Sequence, residues 1–284
     1  MNARQAYFAG TWYPGTESEC LREMESFSRQ SVPCPDAGTA VGGIVPHAGW
    51  FFSGHVAFNV IDCICRTMKP ETWVLFGQHL RASEPFSIMK EGEWSTPLGP
   101  LSVDQELADI VVSDNPFRVE TDRGHQQDNT IELQLPFLKY FLPDSMILPV
   151  GAPPSPDCLA FGVRIAEAAK GLGRAIAVLG STDLTHYGYN YGYSPKGSGR
   201  QAVDWVRSVN DRRVVDLIVR MDGEGVLKEA SSNRNACCAG AVAAAVSAAG
   251  SLGAVSGREL LYATSYDKHK DSSFVGYVGV VFYM

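Results

Sequence analysis

Three histidines each follow a short apolar run that is rich in β-branched residues. The run VGGIV (41–45) leads to His47, TWVLF (72–76) leads to His79, and AIAVLG (175–180) leads to His186. An imidazole can ligate a metal ion or exchange a proton near neutral pH. One histidine after a strand more often completes a turn than serves a site, but three repeats of the pattern favour a shared site. His55 and His269 lie in an apolar helix and a charged turn, which indicates structural or solvated roles.

Two adjacent cysteines, Cys237 and Cys238, open an alanine-rich segment that is typical of a closely packed helix. A thiol at a helix N-terminus lies near the positive end of the helix dipole and near free amide groups, which favours the thiolate. A thiolate can attack a substrate or ligate a metal ion. The alternative is a small residue chosen for packing, and we expect that role for one of the two.

Two carboxylates are placed to support such a site. Asp183 lies in the loop that carries His186, and Glu132 lies near the start of a predicted helix beside Asp128 and Asn129. A carboxylate near a metal-bound imidazole commonly accepts its distal N–H and fixes the tautomer. We therefore treat His186, Asp183 and Glu132 as candidate catalytic residues. The alternative for the two carboxylates is an ordinary place on the protein surface.

The elements that position these residues follow from hydrophobic periodicity. The apolar runs, with a fourth at 146–150, predict strands buried on both faces, and apolar positions at three- and four-residue spacing predict helices between them. This alternation predicts one three-layer α/β domain over 1–284, with a mainly parallel sheet and helices on both faces. Because the carboxyl ends of parallel strands share one edge, the histidine loops converge there. Two late strand-like runs, within 260–267 and 273–284, add a hairpin or an edge pair.

Composition narrows the classes of partner. The chain has 24 Lys and Arg against 31 Asp and Glu, and no basic cluster longer than a pair, which argues against nucleic acid or an anionic membrane. No apolar stretch has the length of a signal peptide or of a membrane span, so we expect a cytoplasmic chain with a small-molecule or protein partner. Charged residues make up 19%, below the usual share, so an oligomer also fits. Seven cysteines without CxxC spacing indicate that most are reduced thiols rather than parts of a disulfide framework or a structural zinc site.

Seven blocks of this sequence resemble, in order and in approximate spacing, the blocks of the Memo family. That family includes the human mediator of ErbB2-driven cell motility and the Memo-like proteins of the bacterial and archaeal AmmeMemoRadiSam system. The likeness covers nearly the whole chain. The blocks are AGTWYP (9–14), PHAGW (46–50), GQH (77–79), TPLG (96–99), TIELQLPF (130–137), STDLTH (181–186) and DSS (271–273).

The resemblance implies an α/β fold similar to class III extradiol ring-cleaving dioxygenases of the LigB group, whose non-haem Fe(II) lies in a crevice at one sheet edge. It implies a site of two histidines and one cysteine that binds iron(II) or copper; zinc suits the same donors. Carried over by motif, His47, His79 and Cys237 are the metal ligands, with Asp183 and His186 beside them. It also implies radical SAM and AMMECR1-like proteins as system partners.

Three departures from the family pattern bear on this site. The second histidine block usually reads G-P-S-H-H, whereas GQH (77–79) is one residue shorter and leaves His79 as its single candidate. The usual E-H-S-I-E is DNTIE (128–132) here, without the histidine. The usual Cys-Gly pair is Cys237-Cys238, and aligning GAV (240–242) with the usual G-P-I favours Cys237. We therefore expect a metal site altered from the family pattern.

Three functions compete at this stage. The first is a metal-dependent redox or oxygenase-like enzyme that acts on a small molecule, with His186 as proton donor or acceptor. The second is a non-catalytic module that binds a peptide or phosphopeptide in the same vestibule. The third is a metal-free cysteine hydrolase built on Cys237, a histidine and Asp183.

Overall fold

The computed structural model describes residues 3–112 and 117–284. Their strands are β1 (Ala3–Arg4), β2 (Ala40–Val45), β3 (Thr72–Gly77), β4 (Ser87–Met89), β5 (Glu93–Trp94), β6 (Leu101–Ser102), β7 (Arg118–Glu120), β8 (Met146–Gly151), β9 (Ile176–Ser181), β10 (His186–Tyr187), β11 (Ser256–Thr264) and β12 (Phe274–Tyr283). Their α-helices are α1 (Glu17–Ser28), α2 (Trp50–Thr67), α3 (Gln105–Val112), α4 (Asn129–Glu132), α5 (Leu135–Phe141), α6 (Asp157–Gly171), α7 (Arg200–Trp205), α8 (Asp211–Val219), α9 (Gly223–Asn233), α10 (Ala239–Leu252) and α11 (Ser265–Lys268). A 3-10 helix covers Tyr189–Tyr191, and a π-helix covers Val206–Asn210.

The large sheet has nine strands in the order β10-β12-β2-β9-β3-β8-β4-β7, with β11 paired to β12. Its centre, β2, β9, β3 and β8, is parallel. The flanks differ, because β12 pairs with β2, and β4 with β8, in antiparallel register. The expectation of a mainly parallel sheet is therefore correct for the centre only, and the sheet as a whole is mixed. The predicted hairpin is β11–β12, whose short connection allows antiparallel pairing without a crossover.

Helices cover both faces of this sheet. On β3, Val74 and Phe76 belong to one apolar cluster with residues of α6 and α10, whereas Trp73 and Leu75 belong to a second cluster with residues of α1, α2 and α5. The alternation follows from the two-residue period of a strand. All six residues of each central strand β2, β3 and β9 are buried, as their continuous apolar runs predict.

Small residues let α10 pack close to its neighbours. A Cβ atom added at Gly162 of α6 would overlap the carbonyl oxygen of Ala244, and one added at Gly180 of β9 would lie 2.9 Å from the carbonyl oxygen of Ala241. Ten of the fourteen residues of α10 are buried. The alanine-rich composition therefore fixes the position of the helix start that follows Cys237 and Cys238.

Two local features differ from the sequence-based expectation. The periodic segment around Ile131 and Leu138 forms two short helices, α4 and α5, and Pro136 opens the second. The segment around Val206 contains the π-helix.

Cys34 and Cys63, 29 residues apart in sequence, form a disulfide with their Cα atoms 5.4 Å apart, while the other five cysteines are free. Spacing alone cannot reveal such a pairing, and the five free cysteines agree with the expectation that most of the seven are reduced. Within the described residues, no helix combines the length and the apolar character needed to cross a bilayer.

Candidate metal centre

Four side chains that are distant in sequence meet beside the carboxyl ends of the central strands. His47 follows β2, His79 follows β3, and Cys237 and Cys238 precede α10. One ligand atom from each of these four residues lies within 4.8 Å of the others. The Nε2 atom of His47 is 3.2 Å from the Sγ atom of Cys237, and the two imidazole rings lie 5.0 Å apart at 84°. The loops therefore converge as the parallel centre of the sheet predicts.

Hydrogen bonds fix the tautomer of His47. Its Nδ1 atom lies 2.9 Å from the hydroxyl of Ser181, and that hydroxyl donates to the carbonyl oxygen of Thr130 at 2.7 Å. Because Ser181 has used its single proton, it accepts the Nδ1–H of the neutral ring. The lone pair of the ring then lies on Nε2, the atom that faces Cys237. The backbone N–H of His47 donates to Asp183 at 2.8 Å, which holds the loop in place.

Asp128 orients the second imidazole. Its Oδ2 atom lies 3.1 Å from Nδ1 of His79 and accepts the backbone N–H of His79 at 3.3 Å. Burial raises the pKa of this carboxyl, but the hydrogen bond and charge of His79 outweigh burial and bring the pKa below its usual value. The preceding residue, Gln78, has a φ of 66°, a left-handed conformation that a residue with a side chain rarely adopts. Its N–H donates to the hydroxyl of Thr130 at 2.7 Å, which secures this turn.

The two cysteines have different environments. The Sγ atom of Cys237 accepts the backbone N–H of Asp183 at 3.3 Å and lies 3.8 Å from Sγ of Cys238. Burial raises the pKa of Cys237, but the neighbouring Cys238 thiol and the charge of His47 bring it well below the ordinary value. The same contact, with burial, raises the pKa of Cys238. Cys237 is therefore the thiolate of the pair, and Cys238 is the N-cap residue of α10.

A cavity of about 580 Å³ opens in front of the imidazoles. Its wall contains four of the six histidines of the chain, aromatic side chains and two aspartates. The lining residues are Thr11, Trp12, His47, Ala48, Gly49, Phe51, Phe52, His79, Asn129, Asp183, His186, Tyr191, Ser265, His269, Asp271, Ser273, Val275 and Tyr277. Cys237 is half-buried and is not among these lining residues, but its Sγ atom lies 3.2 Å from Nε2 of His47, which is one of them.

Two of the three candidate catalytic residues lie on this wall. Asp183 is buried, and burial raises its pKa against the opposing charge of His47. His186 opens β10, and its Nδ1–H donates to the carbonyl oxygen of Leu184 at 3.2 Å, which leaves Nε2 available. Its ring packs edge-on against Tyr191 at 5.0 Å between centroids.

Glu132, the third candidate, is not among the residues that line the cavity. Its Oε1 atom accepts the backbone N–H of Phe8 at 2.7 Å and the hydroxyl of Tyr13 at 3.0 Å. These bonds attach the N-terminal segment to α4. The contacts favour a structural role for Glu132 over the catalytic role expected from its place in the sequence. The carboxylate that supports an imidazole is Asp128, four residues earlier.

Sequence reasoning missed part of the wall. His269 and Asp271, which follow α11, line the cavity, and His269 is also exposed to solvent, as the charged turn indicated. The DSS block at 271–273 was the available signal, since Asp271 accepts the backbone N–H of Ser273 at 3.0 Å and so shapes this turn. Asn129 was also passed over; its side-chain amide donates to the carbonyl oxygen of His47 at 2.8 Å.

The donor set fits a borderline or soft transition metal. Two neutral imidazole nitrogens and a thiolate suit iron(II), copper or zinc rather than magnesium or calcium. Both imidazoles have the distal nitrogen engaged, to Ser181 and to Asp128, as metal-bound histidines usually do. The Nε2 atom of His47 and the Sγ atom of Cys237 share a hydrogen bond at 3.2 Å, so a metal ion bound by both would replace the proton between them.

Comparisons with known proteins bear on the whole chain. A family model described as Memo-like protein matches residues 4–281. A MEMO1 family protein of Pyrococcus abyssi is 34% identical over 96% of this chain and 97% of the relative. A MEMO1 family protein of Pyrococcus furiosus is 31% identical over 98% of each chain. An uncharacterized protein of Escherichia coli K12, known from its crystal structure, is 11% identical with a TM-score of 0.49 and covers 79% of this chain and 91% of its own.

Proposed function

The chain belongs to the Memo family, and from this premise we propose that it is a metal-dependent redox or oxygenase-like enzyme that acts on a small molecule in the cavity beside His47. The observation that carries the proposal is the meeting of His47, His79 and Cys237, with the Nδ1 atoms of the two rings held by Ser181 and Asp128. Iron(II) or copper is the proposed metal, and zinc suits the same donors. A relationship of the fold and chemistry to class III extradiol dioxygenases is part of this proposal.

A redox-active metal held by these residues would supply electron transfer to or from a substrate or dioxygen. The chain's own residues perform the remaining tasks. His186 lines the cavity with Nδ1 bonded to Leu184, so its Nε2 atom can give or take a proton at a substrate oxygen or nitrogen. Asp183 keeps the His47 loop and the Cys237 loop together, because it accepts the N–H of His47 and donates its own N–H to Cys237.

The aromatic residues of the cavity wall restrict water around a bound molecule. Trp12, Phe51 and Tyr191 expose 42%, 64% and 44% of their surface, so apolar area is available for a ligand to cover. Covering such area is favourable by about 25 cal/mol per Å². The neutral polar groups of the wall, including Ser265 and Ser273, then set the orientation of the molecule.

A metal-free cysteine hydrolase is a second candidate, favoured by the 3.2 Å contact between the Cys237 thiolate and His47. The absence of Cys237 from the cavity lining counts against it, because a nucleophile must reach the substrate carbon. Peptide binding in the same cavity is the non-catalytic alternative.

Metal analysis separates these functions. We expect protein purified without oxygen, or reconstituted with iron(II) or copper(I), to contain close to one equivalent of metal. Inductively coupled plasma mass spectrometry measures this content. His47→Ala and Cys237→Ala should lose it. His125→Ala is the matched control, since His125 does not line the cavity and bonds only locally, to the carbonyl oxygen of Thr121, among the described contacts. Wild-type protein that retains no metal after reconstitution would overturn the proposal, and rapid alkylation of Cys237 in that protein would favour the hydrolase.

A further inference from the structure

A π-helix contacts two of the loops that carry the site, namely the loop of Asp183 and His186 and the loop of Cys237. It covers Val206–Asn210, and the N–H of Asp211 closes its wide turn on the carbonyl oxygen of Val206. Such turns are rare and occur often at functional sites, because the extra residue redirects the side chains that follow. Here Asn210 and Asp211 are both fully buried, and both point polar atoms at the site loops.

Asp211 holds the loop that carries Asp183 and His186. Its Oδ1 atom accepts the backbone N–H of Thr185 at 3.1 Å and also the hydroxyl proton of Thr185. Its Oδ2 atom accepts the hydroxyl of Tyr262, on β11, at 2.6 Å. Thr185 stands between Asp183 and His186 in the chain, so its backbone cannot move without moving both.

Asn210 bonds to both site loops. Its side-chain amide donates to the hydroxyl of Thr185 at 2.9 Å, which is free to accept because its proton goes to Asp211. Its backbone carbonyl oxygen accepts the side-chain amide of Asn235 at 2.7 Å, and Asn235 lies two residues before Cys237. Asn210 is therefore a bridge between the loop of Asp183 and His186 and the loop of Cys237.

The two loops also bond to each other at the site itself. The N–H of Cys237 donates to the carbonyl oxygen of Asp183 at 3.1 Å, and the N–H of Asp183 donates to Sγ of Cys237 at 3.3 Å. These bonds close only in one relative position of the loops. A shift of either loop would change the separation of Sγ from the imidazoles.

We propose that Asn210 and Asp211 are positioning residues, which hold the Thr185 and Asn235 loops in the register that brings Cys237 to His47 and His79. The inference deepens the proposed function and rests on it for the identity of the ligands. It assigns a role to the π-helix that no sequence motif of the chain indicates.

Cobalt(II) binding tests this assignment. Cobalt(II) bonded to a thiolate gives a near-ultraviolet charge-transfer band, which reports the Cys237 bond directly. We expect Asn210→Leu and Thr185→Val to weaken cobalt(II) binding by about 10- to 100-fold, as the loss of groups that support metal ligands usually does, and to diminish this band. Thr185→Ser, which keeps the hydroxyl, should restore both affinity and spectrum.

Asn233→Ala is the matched control, because Asn233 bonds to Asn210 through its backbone carbonyl oxygen, which the substitution leaves in place. All variants are measured well below their unfolding temperatures, and Thr185→Val decides the outcome if Asn210→Leu does not fold. Wild-type affinity and spectrum in Thr185→Val and in any folded Asn210→Leu would overturn the inference.

A metal-free measurement separates this inference from the proposed function. If the wild-type protein binds neither cobalt(II) nor, after reconstitution, iron(II) or copper(I), the proposed function fails. The rate at which iodoacetamide alkylates Cys237, followed by peptide mass spectrometry, then replaces the spectrum. A rate that changes several-fold in Thr185→Val and returns in Thr185→Ser supports the positioning role. An unchanged rate overturns it.

Discussion

Thr130 connects the supports of both imidazoles. Its carbonyl oxygen accepts the hydroxyl of Ser181, which holds His47, while its own N–H and hydroxyl donate to Asp128, which holds His79. Its hydroxyl oxygen also accepts the N–H of Gln78. One buried threonine therefore couples the orientation of two rings that lie on different loops. Substitution of the residues that support the candidate ligands should affect metal binding as well.

Ser181→Ala should weaken metal binding without unfolding the protein. The substitution removes the acceptor of the Nδ1–H of His47, so the ring loses the bond that fixes its tautomer, and we expect an affinity loss of about 10- to 100-fold. Competition with a chromophoric chelator measures it. Ser208→Ala is the control, because its exposed hydroxyl bonds only to the backbone of its own helix among the described contacts. Equal affinities would show that the Ser181 bond does not support the site.

Asp211 should make stability depend on pH. Burial, against the hydrogen bonds of Thr185 and Tyr262 and the charge of His186, raises its pKa to about 6 from 3.8. The folded state therefore binds the proton more tightly than the unfolded state. The resulting stabilisation is complete below about pH 4 and is lost as the pH rises through about 6, with a total of about 3 kcal/mol.

The free energy of unfolding of wild-type protein minus that of Asp211→Asn isolates this effect, because the other titrating groups largely cancel. Urea denaturation at pH 4, 5, 6 and 7 should show the difference falling as pH rises. A difference that stays constant across this range would contradict the buried, proton-retaining carboxyl.

At the scale of elements, the contact of α6 with α10 determines where the Cys237 loop begins. The two helices approach so closely that Gly162 of α6 has no room for a methyl group beside Ala244. Gly171, the last residue of the same helix, has nothing within 4 Å of the place where its Cβ would lie. Gly162 and Gly171 therefore provide a crowded and an open glycine position within one helix.

Gly162→Ala should destabilise the protein by about 1–3 kcal/mol, because it overpacks the helix contact. Gly171→Ala should be neutral or stabilise by up to about 1 kcal/mol, since alanine is the better helix former. Chemical denaturation of both variants measures the difference. If the two variants had the same stability, α10 would not be held as closely as described.

Most of the central strands, and the edge of the sheet where the site lies, could be predicted from the sequence for physical reasons. Continuous apolar runs determined β2, β3, β8 and β9, and the polarity of a parallel sheet brought His47, His79 and Asp183 to one edge. The roles of Asp128 and Asn210 could not be predicted, because each depends on hydrogen bonds between residues far apart in the chain. The π-helix could not be predicted either, because Val203, Val206 and Val209 recur at the three-residue spacing of an ordinary α-helix.

At the scale of the whole molecule, the cavity wall is assembled from separate regions of the chain. Thr11 and Trp12 come from the segment before α1, and residues 265–277 come from the hairpin that forms the flank of the sheet. Sequence patterns predicted the hairpin but not its position against the histidine loops, because the pairing of β12 with β2 joins strands that are far apart in the chain.

The Cys34–Cys63 disulfide should contribute to global stability. It closes a loop over a sequence separation of 29 residues, for which the chain-entropy model predicts about 3–4 kcal/mol. We expect a reductant to lower the unfolding temperature of the wild-type protein, and Cys34→Ser to lose this response. A wild-type protein that is insensitive to the reductant would contradict a structural disulfide.

The assembly of the cavity from distant regions also orders events during biosynthesis. A ribosome makes His47 and His79 early, Cys237 late, and Ser273 and Tyr277 later still. The nascent polypeptide therefore carries two unshielded imidazoles for most of its translation, without the sulfur or the hairpin that complete the pocket. If the proposed site takes a metal ion, binding by both imidazoles and the thiolate requires Cys237 and therefore follows synthesis of the segment that carries it.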